Sequence, residues 1–357
     1  MAETAIDING EAISYGERRI IDLPVTRLYT HTSMAMPVHV LTGRRPGKRL
    51  FVSAAVHGDE LNGVEIIRRL LKQPALKRLR GVLIAVPVVN IHGFIQRSRY
   101  LPDRRDLNRN FPGSESGSLT ARLAYRFMTE IVERCDYGID LHTGAIHRGN
   151  LPQIRGDLND TTLAALAEDF DAPVILHAPF RDGSLRQAAG EQGIPTLLYE
   201  AGEALRIDEM AIRIGIRGVL NVLRGLGMLP RTRGQRPSSK AATSVRCGSS
   251  HWVRTPESGM LQTPIALGQQ VTRGQPIAIL ADPFGERERT VTAPISGVVL
   301  GRTTQPLVNE GDAIFHLGQL QSPNQKLPAL GELEELYGIP ILDTGPTESP
   351  LSDWPPE

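Results

Sequence analysis

Two histidines, each following an apolar run, carry the first chemistry in this sequence. In Val56-His57-Gly58-Asp59-Glu60 an imidazole and a carboxylate stand three residues apart, where a β-like run gives way to a helical period. Both side chains are zinc ligands, and that spacing across a strand-to-helix turn can aim them at one point. His142, in Ile139-Asp140-Leu141-His142-Thr143-Gly144, again comes directly after a β-like run. Side chains beyond the carboxyl ends of strands in an open α/β sheet converge on one crevice. His57, Glu60 and His142 would thus form a three-ligand set with a fourth position left for water, as a catalytic rather than a structural zinc requires. His147 is the substitute for His142 as a ligand, and Asp140 is a candidate support behind it.

Two further groups point to a substrate. Asp106-Leu107-Asn108-Arg109-Asn110-Phe111 follows Arg104 and Arg105. A guanidinium can grip a carboxylate through two hydrogen bonds, and a neighbouring amide can donate another. Asn108 and Arg109 are therefore candidate carboxylate binders, and an ion pair with Asp106 in a surface loop is the plainer role for this arginine. Glu200 ends the run Pro195–Tyr199 and precedes Ala201-Gly202. Beside a metal-activated water it would act as a general base; as an edge-strand glutamate it would only face solvent.

Bringing these groups together requires a sheet. From Pro37 to Leu226 short β-rich runs alternate with segments of helical period, which predicts an α/β fold with a mixed, mostly parallel sheet flanked by helices. Strands are expected at 50–56, 82–88, 137–141, 173–176 and 195–199, and helices at 61–71, 119–135, 161–169, 185–192 and 207–226. Small, polar and basic residues interrupt the pattern after Pro230, and β-like runs separated by glycine turns resume at Val253. The expected organisation is an N-terminal extension (1–36), a catalytic domain (37–229), a linker (230–252), a small all-β domain (253–320) and a proline-rich acidic tail (321–357).

Composition narrows the class. In 357 residues, 40 Lys+Arg balance 39 Asp+Glu to a formal charge of +1, so no global field favours nucleic acid or anionic lipid. Hydrophobic residues make up 40% and mean hydropathy is −0.18, values of an ordinary globular chain. Apolar runs such as 81–89 are far shorter than the roughly 18–20 residues that span a bilayer. The N-terminus lacks a basic start followed by an apolar run, so no signal peptide is read and a cytoplasmic protein is expected. Cys135 and Cys247, the two cysteines, are read as structural thiols.

Taken in order, His57-x-x-Glu60, the Asp106–Phe111 segment, His142 and Glu200-Ala201-Gly202 resemble the zinc carboxypeptidase-like superfamily, and more closely the succinylglutamate desuccinylase/aspartoacylase family. The resemblance implies one zinc ion per chain on His57, Glu60 and His142, substrate carboxylate binding by Asn108 and Arg109, and Glu200 as catalytic base. It also implies an arginine that polarises the scissile carbonyl. Arg99 is the candidate, although two extra residues separate it from Asp106, and Arg104 or Arg105 could replace it. The implied reaction is hydrolysis of the amide of a small N-acyl amino acid or related compound by metal-activated water. A metallocarboxypeptidase acting on short peptides and a non-catalytic carboxylate-binding protein are the alternatives. No nucleic acid or membrane partner is expected, and a homo-oligomer is left open. The C-terminal runs resemble the barrel-sandwich hybrid of biotinyl and lipoyl domains. The hairpin expected at 281–290 has no lysine, nor does any position between Lys240 and Lys326, which excludes a swinging-arm carrier.

Overall fold

The computed structural model describes residues 3–231, 244–322 and 324–337. In chain order these form β1 (Thr4–Ile8), β2 (Glu11–Ser14), β3 (Arg18–Arg27), β4 (Ser33–Thr42), β5 (Arg49–Ala54), α1 (Asn62–Leu70), β6 (Val82–Val86), α2 (Ile91–Gln96) and α3 (Leu119–Glu130). There follow β7 (Tyr137–Gly144), β8 (Arg148–Gly156), α4 (Thr161–Phe170), β9 (Val174–His177), α5 (Leu185–Glu191), β10 (Thr196–Glu203) and α6 (Glu209–Gly225). The C-terminal part adds β11 (Val245–Arg254), β12 (Gly259–Gln262), β13 (Gln270–Val271), β14 (Pro276–Ala281), β15 (Glu288–Thr292), β16 (Gly297–Thr303), β17 (Leu307–Val308), β18 (Ala313–Leu320) and α7 (Leu330–Tyr337).

Strands β5 and β6 read Arg-Leu-Phe-Val-Ser-Ala and Val-Leu-Ile-Ala-Val and are buried almost throughout, the composition of strands covered on both faces. Along β5 the side chains alternate between two cores. Leu50, Val52 and Ala54 join the apolar layer beneath α1, α4 and α6, and Phe51 joins the layer beneath the β1–β2 hairpin, α3 and α5. Ten residues of α6 are buried, and Asp208 caps its start by accepting from Ala211 N–H at 3.0 Å. Each fully buried Leu or Ile among them is worth about 1.5–3 kcal/mol, which fixes this helix across the back of the sheet.

The sheet is mixed. Its order is β13-β16-β18-β11-β9-β8-β10-β7-β5-β6-β4-β3. The strands β10, β7, β5 and β6 run parallel, as expected, whereas β3, β4 and most of the far flank pair antiparallel. A mostly parallel sheet therefore describes its centre only. The predicted helices all form within a few residues of their expected limits, the second ending at Glu130. No described helix is long and apolar enough to cross a membrane.

Four expectations differ from the structure. Residues 18–27 and 33–36 of the expected extension lie in β3 and β4 and extend the main sheet. Between the strands expected at 137–141 and 173–176 the structure adds β8, which lies in the sheet interior, paired with β9 and β10. The last part of the expected linker forms β11, which is parallel to β9 and antiparallel to β18; residues 232–243 of that linker lie outside the described residues. Within the expected tail, α7 packs Leu333 and Tyr337 into the core with α6, and residues 338–357 lie outside the described residues. One sheet thus runs from the expected catalytic domain into the expected β domain. There a second, four-stranded sheet, β15-β14-β12-β17, shares an apolar core with β11, β16 and β18. The hairpin expected at 281–290 is the β14–β15 connection.

Candidate active site

His57 and Glu60 lie in the turn between β5 and α1, and His142 lies near the end of the neighbouring strand β7. Gly58 makes this turn possible, because a Cβ there would come within 2.0 Å of the Gly93 carbonyl carbon in α2. The backbone thus passes flush against α2, and the side chains on either side of Gly58 turn inward. His57 Nδ1, Glu60 and His142 Nδ1 face one another: His57 Nδ1 is 2.7 Å from Glu60 Oε1, and His142 Nδ1 is 2.8 Å from Oε2. The two Nδ1 atoms are 3.2 Å apart. All three residues are at most 4% exposed, and their ligand atoms lie within 4.8 Å of one another.

Each imidazole is held from behind. His142 Nε2 donates to Asp140 Oδ2 at 2.7 Å, and Asp140 in turn accepts from Ser53 Oγ at 2.8 Å. His57 Nε2 donates to Asp106 Oδ1 at 3.1 Å. With both Nε2–H groups engaged, both Nδ1 lone pairs and the Glu60 carboxylate converge with only the Thr143 N–H and Arg99 as donors. Three acceptors turned to one point are what a divalent cation resolves, so the residues fit a zinc site. The electrostatics show the same demand for positive charge, which protons meet where no cation is bound. Burial alone would lower the pKa of His142, but Asp140 and Glu60 hold it well above the ordinary value. Burial would raise Glu60, and the two histidines instead keep it well below the usual carboxylate range.

The other predicted residues line the same cleft, of about 430 Å³. Arg99 reaches it with Nη1 3.5 Å from Glu60 Oε1 and Nη2 2.9 Å from Asp106 Oδ2. Arg104 and Arg105 are exposed and do not line it. A turn closed by Arg104 N–H on Leu101 O absorbs the two extra residues. Asn108 Oδ1 accepts from Leu185 N–H at 2.9 Å, which leaves its NH₂ end as the group available to a ligand. Arg109 is at the exposed rim and donates to Asn108 O. Glu200, on β10, sits in register with His142 on β7. Its Oε2 takes both Arg155 Nη2, at 2.9 Å, and Asn150 Nδ2, at 2.8 Å. Oε1 has no partner among the described residues. His147, the substitute ligand, is exposed and outside the cleft.

Sequence reasoning missed the opposite wall. Arg148, Asn150 and Arg155 come from β8, Trp252 and Arg254 from β11, Arg181 from the segment leading into α5, and Arg186 from the first turn of α5. Arg148 lies over the Trp252 ring, 4.7 Å from its centroid, and His316 stacks on the same side chain at 4.2 Å and 7°. Burial, followed by Arg155 and Arg148, pushes the His316 pKa down to about 3.

The molecule is thus a mixed α/β protein with a candidate metal cage at the ends of two parallel strands. Residues 46–226 match the model of the succinylglutamate desuccinylase/aspartoacylase catalytic domain, and the chain belongs to that family. It is 26% identical, over 88% of its own length and 94% of the relative's, to the N-alpha-acetyl-L-2,4-diaminobutyric acid deacetylase of Halomonas elongata. Among solved structures it is similar to a succinylglutamate desuccinylase/aspartoacylase from Rhodobacter sphaeroides, with 25% identity and a TM-score of 0.75 over 85% of this chain and 96% of that one. The product-bound ectoine utilization protein EutE (DoeB) of Ruegeria pomeroyi shares the fold, with 23% identity and a TM-score of 0.77 over 89% and 100% of the two chains.

Proposed function

We propose that this protein is a zinc-dependent amidohydrolase that removes the acyl group from a small N-acyl amino acid or related amide. The observation that carries the reading is the convergence of His57, Glu60 and His142 beside a carboxylate, Glu200, with one oxygen unengaged. The zinc ion, held by those three residues, would supply Lewis acidity to the scissile carbonyl and lower the pKa of water.

The remaining work falls to this chain's own groups. The Asn108 amide and the Arg109 guanidinium bind the substrate carboxylate at the rim and orient the amide along the cleft. Arg99, steadied by Asp106, faces the carbonyl oxygen and stabilises the charge that develops there. Arg155 and Asn150 fix Glu200 through Oε2, so that Oε1 takes a proton from the attacking water and returns it to the leaving nitrogen. The strands from β11 onward supply the wall facing these groups, and so limit the length of substrate admitted.

The test pairs metal content with turnover. The native protein should bind zinc stoichiometrically and hydrolyse members of a panel of N-acyl amino acids faster than short peptides, and His57→Ala should lose the metal and at least about 1,000-fold in kcat. Preferential release of C-terminal residues from peptides would make it a carboxypeptidase instead. A folded native protein that takes up no zinc would end the hydrolase reading.

A further inference from the structure

Asn62, buried and polar, has no role in the reaction proposed above. It is 1% exposed, does not line the cleft, and opens α1 two residues after Glu60. Both ends of its amide are engaged, and both partners lie far along the chain. Nδ2 donates to Ala201 O at 3.1 Å, and Oδ1 accepts from Asp208 N–H at 3.0 Å. A third bond joins the same two segments: Leu205 N–H donates to Asp59 O at 2.8 Å. The turn that carries His57 and Glu60 is thus tied at three points to residues 201–208, and one side chain makes two of the three ties.

The point at which Asn62 holds β10 gives the contact its meaning. Up to Glu200 the strand keeps register with β7 on one side and β8 on the other. Beyond Glu200 both pairings shift, so the ladder alone does not set the path of the chain past the base. Ala201 O, at that irregularity, is the atom that Asn62 Nδ2 holds. Gly202 follows with φ of +76°, and a Cβ there would come within 2.4 Å of Asn62 Nδ2. Bare backbone at 202 is therefore what admits the amide. The Glu200 side chain is braced from the far wall by Arg155 and Asn150, and β7 sets its register against His142. Asn62 adds the hydrogen bond that ties this strand to the turn of Glu60 itself.

We infer that Asn62 is a positioning residue for catalysis: it clamps the backbone beside the general base to the turn that bears two of the three metal ligands, and so sets where Glu200 Oε1 stands relative to the cage. It acts through Glu200 and touches neither substrate nor metal. The inference rests on the amidohydrolase reading and adds a residue to its machinery.

The experiment compares zinc-loaded native protein with Asn62→Asp and Asn62→Ala, each alone and combined with Glu200→Gln. The substrate is the N-acyl amino acid of the panel that the native protein turns over fastest. Asn62→Asp keeps an acceptor for Asp208 N–H and turns an oxygen towards Ala201 O, so it breaks the tie to β10 alone, whereas Asn62→Ala removes both ties. Melting curves establish folding. Elemental analysis should find zinc still stoichiometric in both variants, with KM unchanged and kcat about 10- to 100-fold lower. In the Glu200→Gln background neither substitution should lower the residual kcat further, because the group being positioned is gone. A purely structural residue would instead cost the same factor in both backgrounds. Unchanged kcat, an equal loss with and without Glu200, zinc lost along with turnover, or failure of both variants to fold overturns the inference and leaves the amidohydrolase reading standing. Native zinc-loaded protein that hydrolyses no amide of the panel brings down that reading, and this inference with it.

Discussion

The two walls of the cleft are built on opposite plans. On the wall of β5 and β7 the charged groups that line the cleft are answered by others: His57 by Glu60 and Asp106, His142 by Glu60 and Asp140, Arg99 by Asp106. On the wall of β8, β11 and α5, only Arg155 is ion-paired within the cleft among the described residues, to Glu200, and Arg148 is steadied by the Trp252 ring and a carbonyl. A closed network fixes a few atoms tightly, which suits chemistry that must be the same for every substrate. An open one leaves donors free to meet whatever enters the cleft.

Glu200 stands where the walls meet, and its removal is the severest way to test the division. Glu200→Gln should keep stoichiometric zinc, measured by elemental analysis, and lose about 100- to 10,000-fold in kcat. Zinc lost together with turnover would move Glu200 into the cage and erase the distinction. A middle-sized effect is expected at Asp140. Asp140→Asn should weaken zinc binding about 10- to 100-fold in chelator competition, because the partner that orients His142 is blunted. Unchanged affinity would mean that the cage is not as closed as its hydrogen bonds suggest.

The open wall is probed through stability rather than through turnover or metal affinity. His316, with a pKa of about 3 in the folded protein against roughly 6.5 in an unfolded chain, binds a proton only on unfolding between those two pH values. Unfolding free energy should therefore fall as pH drops from 6.5 towards 3, by at most about 1.4 kcal/mol per pH unit from this group, and stop falling through it below 3. His316→Phe preserves a ring against Trp252 and should flatten the dependence of Tm on pH across that window. Curves of equal slope would show that His316 does not contribute.

The closed wall was the legible one, and the reason is physical. Its groups come from the ends of strands whose apolar runs stand out, and the two-residue period of a strand puts Asp140 on the same face as His142. Spacing alone could not choose among Arg99, Arg104 and Arg105, because the turn at 101–105 that removes two of them is set by backbone hydrogen bonds. The open wall was illegible for the opposite reason. Strand β8 reads Arg-Gly-Asn-Leu-Pro-Gln-Ile-Arg-Gly, and its polar residues are held inside the sheet by tertiary partners: Asn150 and Arg155 by Glu200, and Gln153 by Leu300 O. Neither an apolar run nor clean alternation marks such a strand. Trp252 was similarly assigned to a linker, since the cysteine, glycine and serines that begin β11 resemble loop sequence and only pairing with β9 and β18 makes them a strand.

The continuity of the main sheet has a consequence during synthesis. Strand β9 is made early but receives its outer neighbour, β11, only after at least 67 further residues have been added, counting from His177 to Val245, and β11 is itself an open edge until β18 is complete. A nascent chain that has finished its cage still carries a bare row of backbone donors and acceptors along Val174–His177, the kind of edge to which other chains add. The last strands to leave the ribosome are thus the ones that close the sheet, and a shortened chain would keep that edge open.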